Sequence, residues 1–181
     1  VSGRSDIMMI EQQALKMDLA IAILRDVSGS MSGHQNATHL SVALNEALLG
    51  FEKEISTHFY GFHDDVFDCG MAQKNNGIAG LICNNGTNET FGLQVAGEWL
   101  AKQKRKRKLL VTVCDGAPAN VESVRQTTQT LMRQGILPMR ILVGVDVAPQ
   151  TYPVELFFDA WDELNRELAR LFIQIFQSSR A

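Results

Sequence analysis

Three short apolar runs constrain the fold of this 181-residue chain more than any other feature. They occupy residues 19–24, 109–114 and 141–145. None of them alternates apolar and polar residues, as a strand with one solvated face does, so each predicts a strand that is buried on both faces. Strands of this kind are typical of parallel sheets that are covered by helices.

Helical spacing between these runs, together with weaker strand patterns, predicts the fold class. Apolar residues spaced as on one helix face mark segments near residues 40–51, 93–100, 121–131 and 161–175. Weaker strand patterns fall at residues 56–62, 66–69 and 154–158. Because strands and helices alternate along the chain, the sequence predicts an α/β fold with a doubly wound sheet.

The charge balance argues against a general polyanion binder. The chain has 17 basic and 20 acidic residues, a formal net charge of −3, whereas nucleic-acid-binding domains tend to be strongly basic. Six of the basic residues fall within residues 102–108, between a predicted helix and a predicted strand. We interpret this run as a solvated connection at the N-terminal edge of the sheet. No apolar run approaches the ~18 residues that a membrane span needs, so no membrane association is expected.

The cysteines and the first residue bear on cellular context. Cys69, Cys83 and Cys114 are odd in number and share no C-x-x-C spacing. They therefore predict free thiols and a reducing, cytoplasmic compartment. The chain opens with Val1 instead of Met, so we expect the C-terminal part of a longer protein. Within it, residues 1–17 are predicted to form a lead-in helix and residues 18–181 a single domain.

Oxygen-bearing side chains follow the predicted strands at the edge where α/β sheets bind ligands. Asp26, Ser28 and Ser30 follow the first run, and Asp115 follows the central run. Thr87 lies near the end of an Asn- and Gly-rich loop at residues 73–88. Hard oxygen ligands without His or Cys suit Mg²⁺, with Mn²⁺ or Ca²⁺ as alternatives. These five residues are therefore the predicted metal ligands.

The same five residues resemble a known motif. Asp26, Ser28 and Ser30 match D-x-S-x-S, Thr87 matches a separate threonine, and Asp115 matches a later aspartate. Together they resemble the metal-ion-dependent adhesion site (MIDAS) of von Willebrand factor type A (VWA) domains. The resemblance to this family extends over nearly the whole chain. The resemblance implies a mostly parallel sheet with one antiparallel edge strand and helices on both faces. It also implies a binding module whose metal accepts an Asp or Glu side chain from a partner protein.

A narrower resemblance concerns the subfamily. The Asp-Gly-Ala-Pro sequence at residues 115–118, the strand at residues 143–146 and the segment at residues 156–168 are similar to the C-terminal VWA domain of the cobaltochelatase subunit CobT. This resemblance implies a MoxR-type AAA+ ATPase partner, such as the CobS subunit, and a non-catalytic role beside a chelatase catalytic subunit. Arg25 departs from the family, where an apolar residue is usual. We expect its stem to lie along the sheet edge with its charge in solvent, the alternative being a charge that biases the metal site.

Two enzyme classes lack their motifs. A serine hydrolase needs G-x-S-x-G, but Met31 occupies the middle position between Gly29 and Gly33. A P-loop is excluded because the chain contains no Gly-Lys dipeptide. An Mg²⁺-dependent phosphohydrolase stays open as an alternative, although Ser28 stands where such enzymes carry a second Asp. A nucleic-acid-associated adaptor that uses residues 102–108 is the third hypothesis.

Several polar residues near the predicted site have a structural interpretation beside the functional one. His34 is expected on the surface of a helix, with a place near the metal as the alternative. Residues 63–65 and Asp68 are expected in a polar hairpin turn, with a second metal site as the alternative. Asn88 and Glu89 are expected to begin a helix, with a role at the rim of the site as the alternative.

Overall fold

A six-stranded sheet forms the centre of the protein in the computed structural model, which describes residues 18–145 and 148–158. The strand order is β3-β2-β1-β4-β5-β6, and every neighbouring pair is parallel except β2–β3. The predicted doubly wound, mostly parallel sheet with one antiparallel edge strand is therefore confirmed. The strands are β1 (Leu19–Asp26), β2 (Ile55–Phe62), β3 (Val66–Gly70), β4 (Arg107–Cys114), β5 (Ile136–Val143) and β6 (Val154–Phe158).

Helices cover both faces of this sheet, as predicted. They are α1 (Gln35–Leu48), α2 (Glu89–Lys102) and α3 (Val121–Arg133), with short 3-10 helices at Gly29–Gly33 and Gly77–Gly80. Alternate residues of β1 enter two separate cores, because successive side chains of a strand point to opposite faces. Ile21 and Ile23 pack in the core of α1, whereas Ala22 and Leu24 pack in the core of α2 and α3. The predicted helices at residues 1–17 and 161–175 lie outside the described residues.

The apolar runs locate the central strands but understate their length. β5 begins at Ile136, five residues before the predicted start, because Pro138 and Arg140 interrupt its apolar pattern. β6 pairs with β5 only from Met139 onward, so Pro138 lies where β5 has a single neighbouring strand. A proline is tolerated at such a position, where its missing donor leaves no ladder bond unmade.

Residues 102–108 lie at the N-terminal edge of the sheet, where β4 begins. Arg105 donates to Ser56 Oγ at 3.1 Å and to the Lys53 carbonyl at 2.7 Å. Lys108 Nζ donates to the carbonyl of Ala101 at 3.0 Å, at the end of α2. These bonds use part of the basic run to join α2, β2 and β4, which supports its interpretation as a connection.

The long loop at residues 73–88 is partly ordered by its own side chains. Asn76 accepts a hydrogen bond from the Ile78 N–H at 2.8 Å and so begins the 3-10 helix Gly77–Gly80. Ile78 is buried in the core of α1, whereas Ile82 is the most exposed large apolar residue of the described chain. Within residues 18–145 and 148–158, no helix is long and apolar enough to cross a membrane.

Candidate metal site

The turn after β1 gathers three of the five predicted ligands. Asp26 is only 2% exposed, and its Oδ1 accepts the Ser28 N–H at 2.7 Å. The hydroxyls of Ser28 and Ser30 lie 3.1 Å apart. Ser28 is buried and Ser30 is exposed, so the turn leads from the core to the surface. The D-x-S-x-S sequence thus places one carboxylate and two hydroxyls together at the carboxyl end of β1.

The loop that carries Thr87 is hydrogen-bonded to this turn. The Asn84 N–H donates to the Val27 carbonyl at 2.8 Å, and the Gly29 N–H donates to the Asn85 carbonyl at 3.1 Å. Thr87 follows two residues later and is half-buried. Among the described residues, no hydrogen bond joins its side chain to the other four predicted ligands. The structure therefore brings the loop that carries Thr87 into contact with the first motif.

A second set of bonds fixes this loop to the turn between β2 and β3. Asp64 Oδ2 accepts the Gly86 N–H at 3.2 Å, and the Asn88 N–H donates to the His63 carbonyl at 2.7 Å. The Asp65 N–H closes the turn by donating to His63 Nδ1 at 3.1 Å. Residues 63–65 thus form the expected polar hairpin turn. In the described part of the chain, no group of three or more His, Cys, Asp or Glu is placed to hold a metal.

Asp115 is presented by a turn that requires glycine. Its Oδ1 accepts the Ala117 N–H at 3.2 Å, around Gly116 in the left-handed region at φ 78°. A Cβ on Gly116 would lie 2.5 Å from Leu142 Cδ2 and 2.7 Å from Ala148 Cβ, closer than packed atoms allow. The sequence Asp-Gly after β4 therefore fixes the position of this carboxylate.

Negative charge accumulates at this edge of the sheet. Burial raises the pKa of Asp26 to about 6, hydrogen bonds from Ser28 oppose the shift, and repulsion from Asp115 adds to it. Burial likewise raises the pKa of Glu89 to about 7, with Tyr152 opposing and both aspartates contributing repulsion. The three carboxyl groups are thus in electrostatic reach of one another, and a divalent cation would relieve their repulsion.

Glu89 is not a rim residue, so that alternative from the sequence is wrong. Asn88 caps α2 by accepting the Phe91 N–H at 3.3 Å, as the structural interpretation expects. Glu89 turns inward, where its Oε1 lies 2.7 Å from the Tyr152 hydroxyl, which also lies 2.9 Å from Thr112 Oγ1. A glutamate in the first helical turn is an ordinary feature of helices, so no local pattern signals its burial.

A buried arginine extends this network toward β6. Arg140 Nη2 donates to Glu155 Oε1 at 2.5 Å and to the Pro149 carbonyl at 2.7 Å. Its guanidinium lies 5.1 Å from the centroid of the Tyr152 ring, within the range of a cation–π contact. A chain of polar contacts therefore runs from Glu89, beneath the candidate metal site, through Tyr152 to the last described strand.

The expectation for Arg25 is wrong, because its charge does not reach solvent. The residue is buried on the α1 side of β1, where Nη1 donates to the Ile78 carbonyl at 2.8 Å and Nη2 to Thr38 Oγ1 at 2.6 Å. Burial lowers the pKa of its guanidinium, and nearby groups, Cys83 and Asp26 among them, oppose that shift. Arg25 therefore ties β1 to α1 and to the 3-10 helix at Gly77–Gly80.

His34 lies immediately before α1 and close to the end of β5. It is half-buried, and a Cβ on Gly144 would lie 2.6 Å from His34 Cε1. The expected place on a helix surface is therefore only partly right, since its ring packs at the carboxyl edge of the sheet.

Comparison with known proteins identifies the fold. No family model matches the sequence. The chain is 28% identical to Protein NorD of Stutzerimonas stutzeri over 163 residues, which cover 75% of this chain and 27% of that protein. The chain thus spans about a quarter of the length of this curated relative.

Several solved structures, one of them described as a VWA domain, superpose on most of the chain. The SpRpn10 VWA domain matches with a TM-score of 0.57 at 12% identity, covering 77% of this chain and 87% of that one. Mussel byssus PTMP1, with a zinc-occupied MIDAS motif, gives 0.66 at 15%, covering 87% and 46%. Manganese-loaded Plasmodium vivax TRAP gives 0.64 at 13%, covering 82% and 70%. At these identities the likeness shows the fold alone, and that fold is the one of VWA domains.

Proposed function

We propose that this domain is a protein-interaction module that depends on a divalent metal. Asp26, Ser28, Ser30, Thr87 and Asp115 would hold Mg²⁺, with Mn²⁺ or Ca²⁺ as alternatives. The observation that carries this proposal is the meeting of two aspartates and two serine hydroxyls at the carboxyl edge, where burial and mutual repulsion raise the pKa of Asp26 to about 6.

The donor set fits a hard cation that keeps charge available for a partner. Neutral hydroxyls from the serines and Thr87 would leave much of the cation's charge uncompensated. When bound, the metal supplies a Lewis-acidic position for a carboxylate of another protein. PTMP1 and TRAP, which share the fold, are described with zinc in the MIDAS motif and with manganese respectively, and this supports the proposal of a divalent metal in this domain.

Binding is favoured over hydrolysis by what surrounds the serines. The Ser28 hydroxyl faces Ser30, and its N–H is bonded to Asp26. His34, the nearest histidine in the sequence, packs against Gly144. The hydrogen bonds of Ser28 thus lead to Ser30 and Asp26, which are themselves proposed metal ligands, and not to a histidine of the kind that activates a serine nucleophile.

Added Mg²⁺ is expected to raise the thermal stability of the protein. With a dissociation constant of about 1 mM, 10 mM Mg²⁺ adds about 1.4 kcal/mol, because the cation binds the folded state only. For a chain of this length that corresponds to about 2–4 °C in Tm, measured by differential scanning fluorimetry against EDTA. Asp115→Ala should abolish the shift, and a wild-type protein without any shift in Mg²⁺ or Mn²⁺ would contradict the proposal.

The partner that we propose is a MoxR-type AAA+ ATPase, with a CobT-like chelatase system as the specific case. The resemblance of residues 115–118 to CobT supports this choice. The free thiols of Cys69, Cys83 and Cys114 support the reducing cytoplasm in which such an ATPase works. An acidic side chain of the ATPase or of its target would complete the metal shell.

Capture of this ATPase tests the partner. Immobilised protein should retain a MoxR-type ATPase of the same organism in Mg²⁺ and release at least about 90% of it in EDTA, since the contact passes through the metal. The Asp115→Ala protein in Mg²⁺ should retain as little ATPase as the wild type does in EDTA. Asp18→Ala removes one charge at the opposite edge of the sheet and should bind like wild type. Equal capture by Asp115→Ala would overturn the proposal.

A further inference from the structure

A groove of about 470 Å³ opens between α2 and the edge strand β3, on the α2 side of the sheet. It lies outside the candidate metal site but close to it. The Asp64 carboxylate, next in sequence to the groove residue Asp65, accepts a hydrogen bond from the loop of Thr87, and α2 begins two residues after that threonine. The groove is lined by Tyr60, Asp65, Val66, Asp68, Phe91 and Val95.

Tyr60 forms the base of this groove, and its hydroxyl has no hydrogen-bond partner among the described residues. The residue is only 5% exposed, and its hydroxyl makes no hydrogen bond to any part of the chain that the structure describes. Burial raises the pKa of Tyr60 to about 12, and the charge of Asp68 contributes to the shift, so the hydroxyl stays protonated and neutral. The hydroxyl faces the groove without a partner from the described chain, so it can donate a hydrogen bond to a bound ligand.

Two carboxylates stand at the rim. Asp68 accepts hydrogen bonds from His58 Nε2 at 2.7 Å and from the Gly70 N–H at 2.8 Å. Desolvation raises the pKa of Asp68, but the two hydrogen bonds lower it by more than that. The net shift is downward, so the carboxylate is ionised at neutral pH. Asp65 is exposed, and within residues 18–145 and 148–158 neither carboxylate is paired with a lysine or arginine. The rim thus carries negative charge that the described chain does not neutralise with a strong cation.

The walls between base and rim are apolar and aromatic. Val66 and Val95 are half-buried, and Phe91 is 42% exposed although it belongs to the first turn of a helix that packs on the sheet. Apolar walls suit an aliphatic stem, whereas aromatic faces and carboxylates suit a planar cation with several N–H donors. Arginine is the side chain that combines these properties.

We propose that the groove binds an arginine side chain of a partner protein. Its stem would lie between Val66 and Val95, and its guanidinium would meet Asp65 and Asp68. The inference rests on the groove alone and not on the metal. Because the two sites adjoin, a partner that presents an acidic and a basic side chain could occupy both, and the groove would then add selectivity to the metal contact.

The test uses N-acetyl-arginine methylamide as the probe and its citrulline counterpart as a neutral control of the same shape. Titration into ¹⁵N-labelled protein in EDTA should shift amide signals of residues 58–68 and 91–95, with millimolar affinity. The citrulline compound should bind at least about tenfold more weakly, because it lacks the charge that the carboxylates attract. The proposal is wrong if arginine gives no saturable shifts up to 50 mM, or if citrulline binds equally.

Charge-removing variants locate the site. Asp65→Asn/Asp68→Asn should weaken arginine binding about tenfold, since two partly exposed ion pairs contribute about threefold each or slightly more. Glu98→Gln/Glu122→Gln removes the same charge from α2 and α3 outside the groove and should leave the affinity unchanged. Equal weakening by both pairs would show that only net charge matters. Because EDTA is present throughout, the result does not depend on the metal site. Failure of this test therefore leaves the proposed function intact, and failure of the metal-binding tests leaves the arginine groove intact.

Discussion

Without divalent metal, Asp26→Asn is expected to stabilise the protein at pH 8 by about 2–3 kcal/mol. Burial raises the pKa of Asp26 from 3.8 to about 6, so ionising this group is harder in the folded state than in the unfolded chain. Two pKa units correspond to about 2.7 kcal/mol. The asparagine oxygen can still accept the Ser28 N–H, so the turn after β1 keeps its hydrogen bond.

The sign of the pH dependence makes this prediction specific. A raised pKa means that the folded state binds more protons between pH 4 and pH 6, so the stability of the wild type falls as the pH rises through that window. Urea unfolding in EDTA from pH 4 to pH 8 measures it. Glu89 acts in the same direction up to about pH 7, and because the Asp26 charge contributes to its raised pKa, the difference between the two proteins also includes the relief of Glu89.

Addition of 10 mM Mg²⁺ should narrow the stability difference between the two proteins by about half without reversing their order. The wild type gains about 1.4 kcal/mol if the dissociation constant is about 1 mM, whereas Asp26→Asn, which has lost a charged ligand, should gain almost nothing. Asp18→Asn, at a half-buried position at the opposite edge of the sheet, serves as the control and should gain as much from Mg²⁺ as the wild type does. An Asp26→Asn protein that is less stable than the wild type at pH 8 in EDTA would show that the ionised Asp26 carboxylate does not destabilise the folded state.

Arg140→Leu is expected to cost about 3–5 kcal/mol of unfolding free energy, the largest single effect that we predict. Arg140 is fully buried and is the ion-pair partner of Glu155, whose side chain is 15% exposed. Removing the cation leaves a mostly buried carboxylate and the Pro149 carbonyl without their donor. Breaking one member of a buried pair costs far more than the pair itself contributes.

Two comparisons distinguish this mechanism from a simple packing defect. Arg125→Leu breaks the pair with Glu122, whose side chains are 42% and 62% exposed, and should cost less than 1 kcal/mol. The double variant Arg140→Leu/Glu155→Leu should recover at least half of the loss, because no charge then remains buried. Nε and Nη1 of Arg140 have no hydrogen-bond partner among the described residues, which favours that recovery. A double variant as unstable as the single one would refute the explanation.

The sequence alone predicts the fold and the first motif because both depend on residues that are close together in the chain. Residues 19–24 and 109–114 are apolar at every or nearly every position, and burial on both faces of a central strand requires that pattern. The turn from Asp26 to Ser30 folds through bonds between neighbours two residues apart, so its conformation follows from a short stretch of sequence. Asp115 is likewise fixed by the glycine that follows it.

Only the tertiary structure decides which polar residues are buried, because burial of a polar group depends on partners that are distant in the chain. Tyr152 is 63 residues from Glu89, and Arg25 is 53 residues from the carbonyl of Ile78 that it binds. Hydropathy describes Arg25, Glu89 and Arg140 as surface residues, yet all three are buried with hydrogen-bond partners. The aromatic and acidic groove beside β3 arises in the same way, from residues of two strands and a helix that no sequence pattern brings together.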